Sequence, residues 1–409
     1  MKTLKPYFAY GWCWVLATLL LTGCQSTPTP PPAPPSEGVA ETPTRARETA
    51  VSSTPGLSVY LPFVAQPPAA TPTDTAALPL PAAPTPAPTL PWPEHRTGPP
   101  ASKLGLHVLN TSDSYVMEFV RRVKPRVIKG SGDVGWLQEV KTVSPQTVTI
   151  GRLGNPEESW MGTTDPVAAA QAYVEQNLQQ YKLNPGADYW EGWNEPVPVT
   201  PERWKWYTQF EATRACLLQA HGLHAAVGTF AYGNAEWDQM AIFLPALEAA
   251  HRCGGIFTLH EGVPPALDVC PITFTNHPGV IPGAPAFNVP VGPLSLRYRI
   301  WYEGYLKPRG LGDLPLVMSE LAVAPNCGIQ GGDAWRDYER WWVEHGVGPD
   351  GPQAYVNLLA WYDQQMQADP YVIGATIFTA GNMAQEDDWY GWDLHPIMVP
   401  LARYMTGQP

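Results

Sequence analysis

The sequence has little positive charge. Lys and Arg number 25 against 37 Asp and Glu, which gives a net charge of −12 at pH 7. Proteins that bind nucleic acids neutralise phosphates with basic patches, so this balance excludes DNA and RNA as expected partners. The acidic excess lies beyond residue 100, because the residues before Ala101 carry five basic and five acidic side chains.

The chain also lacks the spacings that mark several kinds of active site. No Cys-x-x-Cys pair or His-rich spacing occurs, so a zinc site is not expected. We also expect no other metal centre and no cofactor. No Gly-x-Ser-x-Gly elbow surrounds Ser319, which argues against a serine hydrolase. The acidic run Glu386-Asp387-Asp388 is open to calcium binding, although a solvated loop is the simpler interpretation.

Proline and tryptophan lie in different parts of the chain. Of the 48 prolines, 21 fall between Gln25 and Pro100, mixed with Thr, Ala and Ser, and Trp92 is the one tryptophan there. Such a segment cannot bury enough apolar surface to offset the entropy of ordering it, so we predict a disordered linker. Residues 101–409 hold 14 of the 17 tryptophans and are predicted to be the folded domain.

The first residues have the pattern of an export signal. Lys2 and Lys5 precede an apolar run that ends in Leu21-Thr22-Gly23-Cys24. These four residues resemble the lipobox of bacterial lipoprotein precursors, in which the cysteine is diacylated and becomes the first residue. The resemblance implies a signal peptide over residues 1–23 and a linker over residues 24–100 that starts at a lipidated Cys24. The protein would then face outside the cytoplasm on the bacterial cell membrane; a signal anchor or a plain signal peptide is the alternative.

Residues 101–409 alternate short apolar runs with longer amphipathic stretches, which is typical of βα units around a parallel sheet. The predicted strands are Leu104–Leu109, Arg126–Lys129, Val148–Arg152, Tyr189–Asn194, Ala225–Phe230, Ile256–His260, Leu316–Glu320 and Gly374–Thr379. Helix-like stretches include Asp165–Tyr181, Pro201–Ala220, Glu236–His251, Leu294–Leu306 and Ala354–Gln367. Eight strands alternating with helices predict an α/β fold, a (β/α)8 TIM barrel.

Two strand ends carry the sharpest signals, because strand ends line the catalytic face of such a barrel. Strand four runs into Asn194-Glu195-Pro196, and strand seven ends in Ser319-Glu320. These motifs resemble those of the (β/α)8 glycoside hydrolases of clan A, in which Asn-Glu closes strand four and a second Glu closes strand seven. The resemblance implies that Glu195 is the acid/base and Glu320 the nucleophile of a retaining double displacement. It also implies that Asn194 hydrogen-bonds to the 2-hydroxyl of the reacting sugar.

Other residues near the strand ends are candidate substrate contacts. Members of the clan often carry His or Tyr near the nucleophile at the position of His260, followed by an aromatic residue. Here Glu261 follows, and it is open to three interpretations: a substrate ligand, a second catalytic carboxylate, or the salt-bridge partner of a loop. Arg152 after strand three and His107 within strand one are candidate contacts to the sugar or the nucleophile, although a strand histidine is often a core residue.

Tryptophans in loops on the same face fit a sugar cleft, because pyranose faces stack on indole rings. Trp160 follows strand three, and Trp389 and Trp392 follow strand eight. We predict that these three tryptophans bind substrate. Tryptophans in helix-like segments are expected to pack in the shell of the barrel.

Four of the six cysteines would remain in the exported domain after Cys13 leaves with the signal and Cys24 is lipidated. An oxidising compartment permits disulfides between them. Cys270 and Cys327 follow strands six and seven and are a possible disulfide. Cys216 and Cys253 lie in consecutive helices and either pair or remain buried thiols.

These observations together predict a retaining glycoside hydrolase at the cell surface that acts on a poly- or oligosaccharide. Its partners would be the carbohydrate and, through the Cys24 lipid, the membrane. The alternative is an inactive barrel that binds surface glycans. The presence of both Glu195 and Glu320 favours the enzyme, since a binding module has no need of both.

Overall fold

A closed barrel of eight parallel strands forms the centre of the folded domain beyond residue 90. The computed structural model describes residues 91–154, 161–267, 270, 273–275, 285–324, 329 and 331–408. The barrel strands are β1 (Leu104–Val108), β2 (Val127–Ser131), β3 (Val148–Arg152), β4 (Tyr189–Glu191), β5 (Ala225–Phe230), β6 (Ile256–Val263), β7 (Leu316–Val323) and β8 (Val372–Ala380). Pairing of β1 with β8 closes the barrel, which confirms the predicted (β/α)8 fold.

Each predicted strand is present, and the differences lie at the ends. Strand β4 stops at Glu191, three residues before its predicted end. Strands β6 and β7 run three residues past His260 and Glu320, because their pairing continues to Val263 and Val323. The polar residues of these two strands therefore lie inside the sheet rather than at its edge.

Helices follow the strands around the outside of the barrel. They are α1 (Ser114–Val123), α2 (Leu137–Val143), α3 (Pro166–Leu183), α4 (Pro201–Ala220), α5 (Trp237–Arg252), α6 (Tyr298–Ile300), α7 (Glu339–Glu344), α8 (Gly351–Gln367) and α9 (Met398–Thr406). Helix α4 has the predicted bounds, with Pro201 in its first turn and Thr200 as its N-cap. The predicted helix over 294–306 is wrong in its first turn: α6 begins at Tyr298 and passes into a π-helix over Trp301–Leu306. No helix in the described ranges combines the length and apolar character that crossing a bilayer requires.

The face of the strands that points into the barrel changes character along its axis. Val127, Ile150, Ala226, Ile256 and Val317 form a separate apolar cluster near the strand starts. Lys129 and Arg152 lie two residues after Val127 and Ile150, so they share the inward face with them. The barrel interior is therefore apolar at one end and charged toward the carboxyl ends of the strands.

The described chain begins on the outside of the barrel. Residues 91–100, predicted as the end of the linker, contact the helical shell, and the ring of Trp92 lies edge-on to Tyr115 of α1 with centroids 5.1 Å apart. The predicted signal peptide (1–23), Cys24 and residues 25–90 of the predicted linker lie outside the described residues.

Candidate active site

Glu320 of β7 lies inside the mouth of the barrel. Its Oε1 accepts hydrogen bonds from Lys129 Nζ at 3.0 Å and from Arg152 Nη1 at 2.9 Å. Lys129 comes from β2 and Arg152 is the last residue of β3, so three strands converge on one carboxylate. The side chain of Glu320 keeps 14% of its surface exposed, which leaves a route from solvent to its carboxylate.

The surroundings of Glu320 fix its charge. Burial by itself raises the pKa of a carboxyl group, but the charges of His260, Lys129 and Arg152 act in the opposite direction. Their combined effect holds the pKa of Glu320 well below its usual 4.5. Glu320 is therefore an ionised carboxylate at neutral pH, the state in which a carboxyl group can act as a nucleophile.

Glu195 lies four residues beyond the end of β4, in the loop that leads to α4. Its backbone is left-handed, with φ 47°, a conformation that costs a non-glycine residue roughly 1 kcal/mol or more. Two hydrogen bonds to β5 hold it there: Glu195 N donates to Thr229 O at 3.0 Å, and Thr229 Oγ1 donates to Trp193 O at 2.5 Å. Trp193 is itself stacked on Phe210 of α4, with ring centroids 4.5 Å apart. These contacts therefore fix the backbone at Glu195 and, with it, the direction in which its side chain leaves the loop.

His260 of β6 lies between the two glutamates. Its Nδ1 is 2.8 Å from Glu195 Oε1 and 3.6 Å from Glu320 Oε2. One carboxylate oxygen from each glutamate and one ring nitrogen of His260 lie within 4.8 Å of one another. The carboxylates predicted at the ends of strands four and seven thus face each other across a gap of less than 5 Å.

Glu195, His260 and Glu320 are also close enough together to bind a metal ion. However, Lys129 and Arg152 already bind Oε1 of Glu320. A divalent cation held by the three side chains would lie beside two fixed positive charges, which repel it. The arrangement therefore suits two carboxylates that act together on a bound molecule better than it suits a metal centre.

Arg152 and His107 were predicted to contact either the sugar or the nucleophile. Both contact Glu320, the candidate nucleophile. Arg152 Nη1 also donates to Asn194 Oδ1, so it links the Asn-Glu motif to Glu320. His107 is fully buried, with Nδ1 3.5 Å from Glu320 Oε1 and Nε2 2.8 Å from Ser131 Oγ. Burial, followed by the charge of Lys129, lowers the pKa of His107 well below 6.5. His107 is therefore a neutral ring behind Glu320, shielded from solvent.

Sequence reasoning missed Lys129 and Glu191. Lys129 Nζ lies 2.9 Å from Glu191 Oε2, and both side chains are fully buried. Burial raises the pKa of Glu191, but Lys129 and then Arg152 lower it by more, so its pKa falls below 4.5. Both residues stand inside predicted strands, and a charged residue on the inward face of a strand is the signal that points to them.

Tyr232, in the loop after β5, was also missed. Burial, Asp333 and Glu195, in that order, raise the pKa of Tyr232 to about 12. Its hydroxyl therefore keeps its proton at neutral pH and can donate a hydrogen bond near Glu195.

The aromatic loop after β8 reaches the same mouth. Phe378 of β8 has its ring centroid 5.1 Å from His107 and 5.1 Å from Trp389, and 6.4 Å from Trp392. Trp389 is 40% exposed and so offers an indole surface to solvent. Two of the three predicted substrate tryptophans thus lie on the His107 side of the site, and Trp160 lies outside the described residues.

Glu261 points away from the site. Its buried carboxylate accepts hydrogen bonds from Tyr298 N at 2.8 Å, from Arg297 N at 3.2 Å and from the Tyr362 hydroxyl at 3.2 Å. It therefore caps the start of α6. Neither the substrate-ligand nor the second-carboxylate interpretation fits these contacts, because successive residues of β6 face opposite sides of the sheet.

Cys216 and Cys253 are paired rather than buried as free thiols. Cys216 of α4 and Cys253, directly after α5, form a disulfide with Cα atoms 5.1 Å apart. Cys270 is also disulfide-bonded. Cys327 lies outside the described residues, so the Cys270–Cys327 bridge stays a prediction.

No protein-family model and no curated protein matches this chain. Among solved structures, it is similar to a family 39 glycoside hydrolase from Bacteroides cellulosilyticus WH2, with 10% identity, a TM-score of 0.45, and coverage of 75% of this chain and 64% of that one. It is also similar to an endo-β-1,4-glucanase from Xanthomonas axonopodis pv. citri, with 10% identity, a TM-score of 0.41, and coverage of 75% and 99%. A GH39 enzyme from the same organism gives 12% identity, a TM-score of 0.37, and coverage of 76% and 67%.

Proposed function

We propose that this protein is a retaining glycoside hydrolase in which Glu320 is the nucleophile and Glu195 is the general acid and base. One observation carries the proposal: oxygens of the two carboxylates lie within 4.8 Å of each other. Retaining enzymes separate the two carboxyl groups by about 5 Å, whereas inverting enzymes need roughly 6.5–9.5 Å to admit a water molecule.

The reaction has two steps. In the first, the Glu320 carboxylate attacks the anomeric carbon while Glu195 gives its proton to the glycosidic oxygen, so that the alcohol leaves and a glycosyl ester forms. In the second, Glu195 takes a proton from water, the water oxygen attacks the anomeric carbon, and Glu320 departs as a carboxylate. Glu195 thus acts as an acid and then as a base.

The different surroundings of the two carboxylates support these roles. Glu320 is bound by Lys129 and Arg152, which hold it ionised. Glu195 is 39% exposed, and no lysine or arginine of the described ranges lies within 4.0 Å of its carboxylate. The exposure of Glu195 admits the leaving oxygen and the attacking water to its carboxyl group.

Residues beside the glutamates suit a sugar. Arg152 holds Asn194 next to Glu320, where Asn194 would contact the 2-hydroxyl. Trp389 and Trp392 would supply a stacking surface for the carbohydrate. The substrate that we propose is a poly- or oligosaccharide. An inactive glycan-binding barrel is the less favoured function, because it has no need of an ionised carboxylate fixed by Lys129 and Arg152.

We also propose that the enzyme works outside the cytoplasm, attached through a lipid on Cys24. The Cys216–Cys253 disulfide supports export, because disulfides persist in oxidising compartments. Labelling cells with radioactive palmitate should mark the wild-type protein, and Cys24→Ala should remove both the label and the attachment to membranes. A Cys24→Ala protein that stays on the membrane would point to a signal anchor instead.

Azide tests the roles of the two glutamates. Glu320→Gly should be inactive on activated aryl glycosides until azide is added, and the product should be a glycosyl azide of inverted configuration. Glu195→Ala should form the glycosyl ester with such substrates, and azide should then give a glycosyl azide of retained configuration. Glu386→Gln, in the exposed acidic loop, is the control and should keep the wild-type rate.

Two outcomes would contradict the proposal. Exchanged product configurations in the Glu320 and Glu195 variants would reverse the roles. A wild-type protein that binds glycans but cleaves no member of a broad panel of glycosides would not be an enzyme of this class.

A further inference from the structure

A second carboxylate, Glu191, lies deeper in the barrel than Glu320, and the reaction above makes no use of it. Lys129 Nζ is 2.9 Å from Glu191 Oε2 and 3.0 Å from Glu320 Oε1. Arg152 Nη1 is 2.9 Å from Glu320 Oε1 and 3.8 Å from Glu191 Oε2. Two cations are therefore shared between two carboxylates.

This group of four side chains, which we call the charge quartet, consists of Lys129, Arg152, Glu191 and Glu320. Within the described part of the chain, their ion pairs run to one another and otherwise only from Glu320 to the histidines of the site. The formal charges cancel, with two positive and two negative groups. Lys129 and Glu191 are fully buried, so water does little to screen the pair.

The proposed reaction, on which this inference rests, disturbs that balance. When Glu320 forms the glycosyl ester it loses its negative charge, while the charges of Lys129 and Arg152 remain. A buried charge without a partner is costly. Positive charge also develops on the sugar in the oxocarbenium-like transition state, and uncompensated cations nearby would oppose it.

We propose that Glu191 is a positioning residue whose permanent negative charge balances Lys129 and Arg152 while Glu320 is esterified. It touches neither the substrate nor the reacting atoms and acts through the shared lysine. This role explains why an ionised carboxylate is fully buried at the last residue of β4, directly before the loop that carries the acid/base.

The proposal predicts unequal effects on the two chemical steps. Glu191→Gln should lower kcat/KM, which reports formation of the glycosyl ester, by about 10- to 100-fold, because one unit charge is lost a few ångströms from the reacting centre. The breakdown rate of the ester should change by less than about threefold, since the departing Glu320 carboxylate regains both cations. Stopped-flow bursts with 2,4-dinitrophenyl glycosides separate the two rates.

Matched variants separate charge balance from structural support. Glu191→Asp keeps the charge and should retain most of the wild-type kcat/KM. Glu191→Gln combined with Lys129→Gln restores a neutral group and should recover several-fold of the loss caused by Glu191→Gln alone. A double variant no better than the single one, with circular dichroism showing that both are folded, would overturn the proposal.

A measurement that needs no substrate keeps this inference distinct from the proposed function. In protein labelled with 13C-glutamate, the Glu320 carboxyl signal, assigned with Glu320→Gln, should titrate at higher pH in Lys129→Gln than in Lys129→Gln/Glu191→Gln. Equal titration would show that Glu191 does not act on Glu320. Unequal titration in a protein that hydrolyses no glycoside would instead refute the proposed function, and the catalytic role of Glu191 with it.

Discussion

Two glutamates on neighbouring strands, Glu320 and Glu261, lie in different electrostatic surroundings. Glu320 of β7 pairs across the sheet with His260 of β6, and Glu261 is the next residue on β6. Glu320 turns into the barrel, where Lys129 and Arg152 bind its carboxylate. Glu261 turns outward and accepts hydrogen bonds from the backbone amides of Arg297 and Tyr298 and from the Tyr362 hydroxyl.

The pKa values of these carboxyl groups separate accordingly. Burial favours the protonated form of both, but the cations around Glu320 reverse that effect and hold its pKa well below 4.5. The hydrogen bonds to Glu261 and the charge of Arg297 lower its pKa by less than burial raises it, so the pKa of Glu261 rises to about 7. Burial alone therefore does not set the charge of a carboxyl group; the number and closeness of the cations beside it decide whether the effect of burial is reversed.

The largest expected effect comes from removing the charge of Glu320, and the same substitution at Glu261 is the comparison. Glu320→Gln should lower kcat/KM by about 10⁴-fold or more, because the covalent route needs its carboxylate. Glu261→Gln is the matched substitution on the neighbouring strand and should leave kcat/KM within a few-fold of wild type. Hydrolysis of an activated aryl glycoside measures both. Comparable losses in two folded variants would remove the distinction between the inner and the outer carboxylate.

An intermediate effect is expected from Lys129→Gln. Lys129 helps to lower the pKa of Glu320, so its loss should raise that pKa and move the acid limb of the kcat/KM profile to higher pH. The reactive form of Glu320 is the ionised one, so the loss of activity should be small at neutral pH and grow toward low pH. Lys141→Gln, which breaks a pair with Asp188 at the other end of the barrel, is the control. An unmoved acid limb would mean that Lys129 does not set the charge of Glu320.

The smallest effect concerns stability rather than activity. The pKa of Glu261 rises from 4.5 to about 7 on folding, so its contribution is fully present below pH 4.5 and is lost as the pH rises through 7. This corresponds to a decrease of about 3 kcal/mol in the free energy of unfolding across that window. The contribution of Glu320 to stability has the opposite pH dependence, because folding lowers its pKa. It is present above pH 4.5 and is lost as the pH falls below that value.

Urea denaturation at several pH values measures this contribution. The difference in unfolding free energy between wild type and Glu261→Gln should change between pH 4.5 and 8, with the variant gaining relative to wild type as the pH rises. A difference that stays constant across this window would show that Glu261 has an ordinary pKa.

The sequence was sufficient for the barrel because each strand is a short apolar run between turn or helix signals. The bounds of β3 and β5 were predicted correctly for this reason. The end of β4 was not, since Trp190-Glu191-Gly192-Trp193-Asn194 has the composition of one continuous strand. The chain leaves the sheet there through contacts that the sequence does not display, such as the stacking of Trp193 on α4.

The sequence predicts the site residues that stand in a motif. It does not predict those that only the geometry of the closed barrel brings together. Glu195, Asn194 and Glu320 stand in recognisable motifs at the predicted ends of strands. Lys129 and Glu191 do not, because their meeting depends on which residues of two separate strands face inward once the barrel closes. The role of Glu261 depended on Tyr298, 37 residues away, whose amide it caps.

Covalent trapping tests the central claim most directly. Activated 2-deoxy-2-fluoro glycosides of several sugars should inactivate the wild-type protein and leave one fluorosugar attached, and peptide mass spectrometry should locate it on Glu320. Glu191→Gln should still be labelled at Glu320, only more slowly. A label on Glu195, Glu191 or Glu261 would contradict this assignment of the nucleophile.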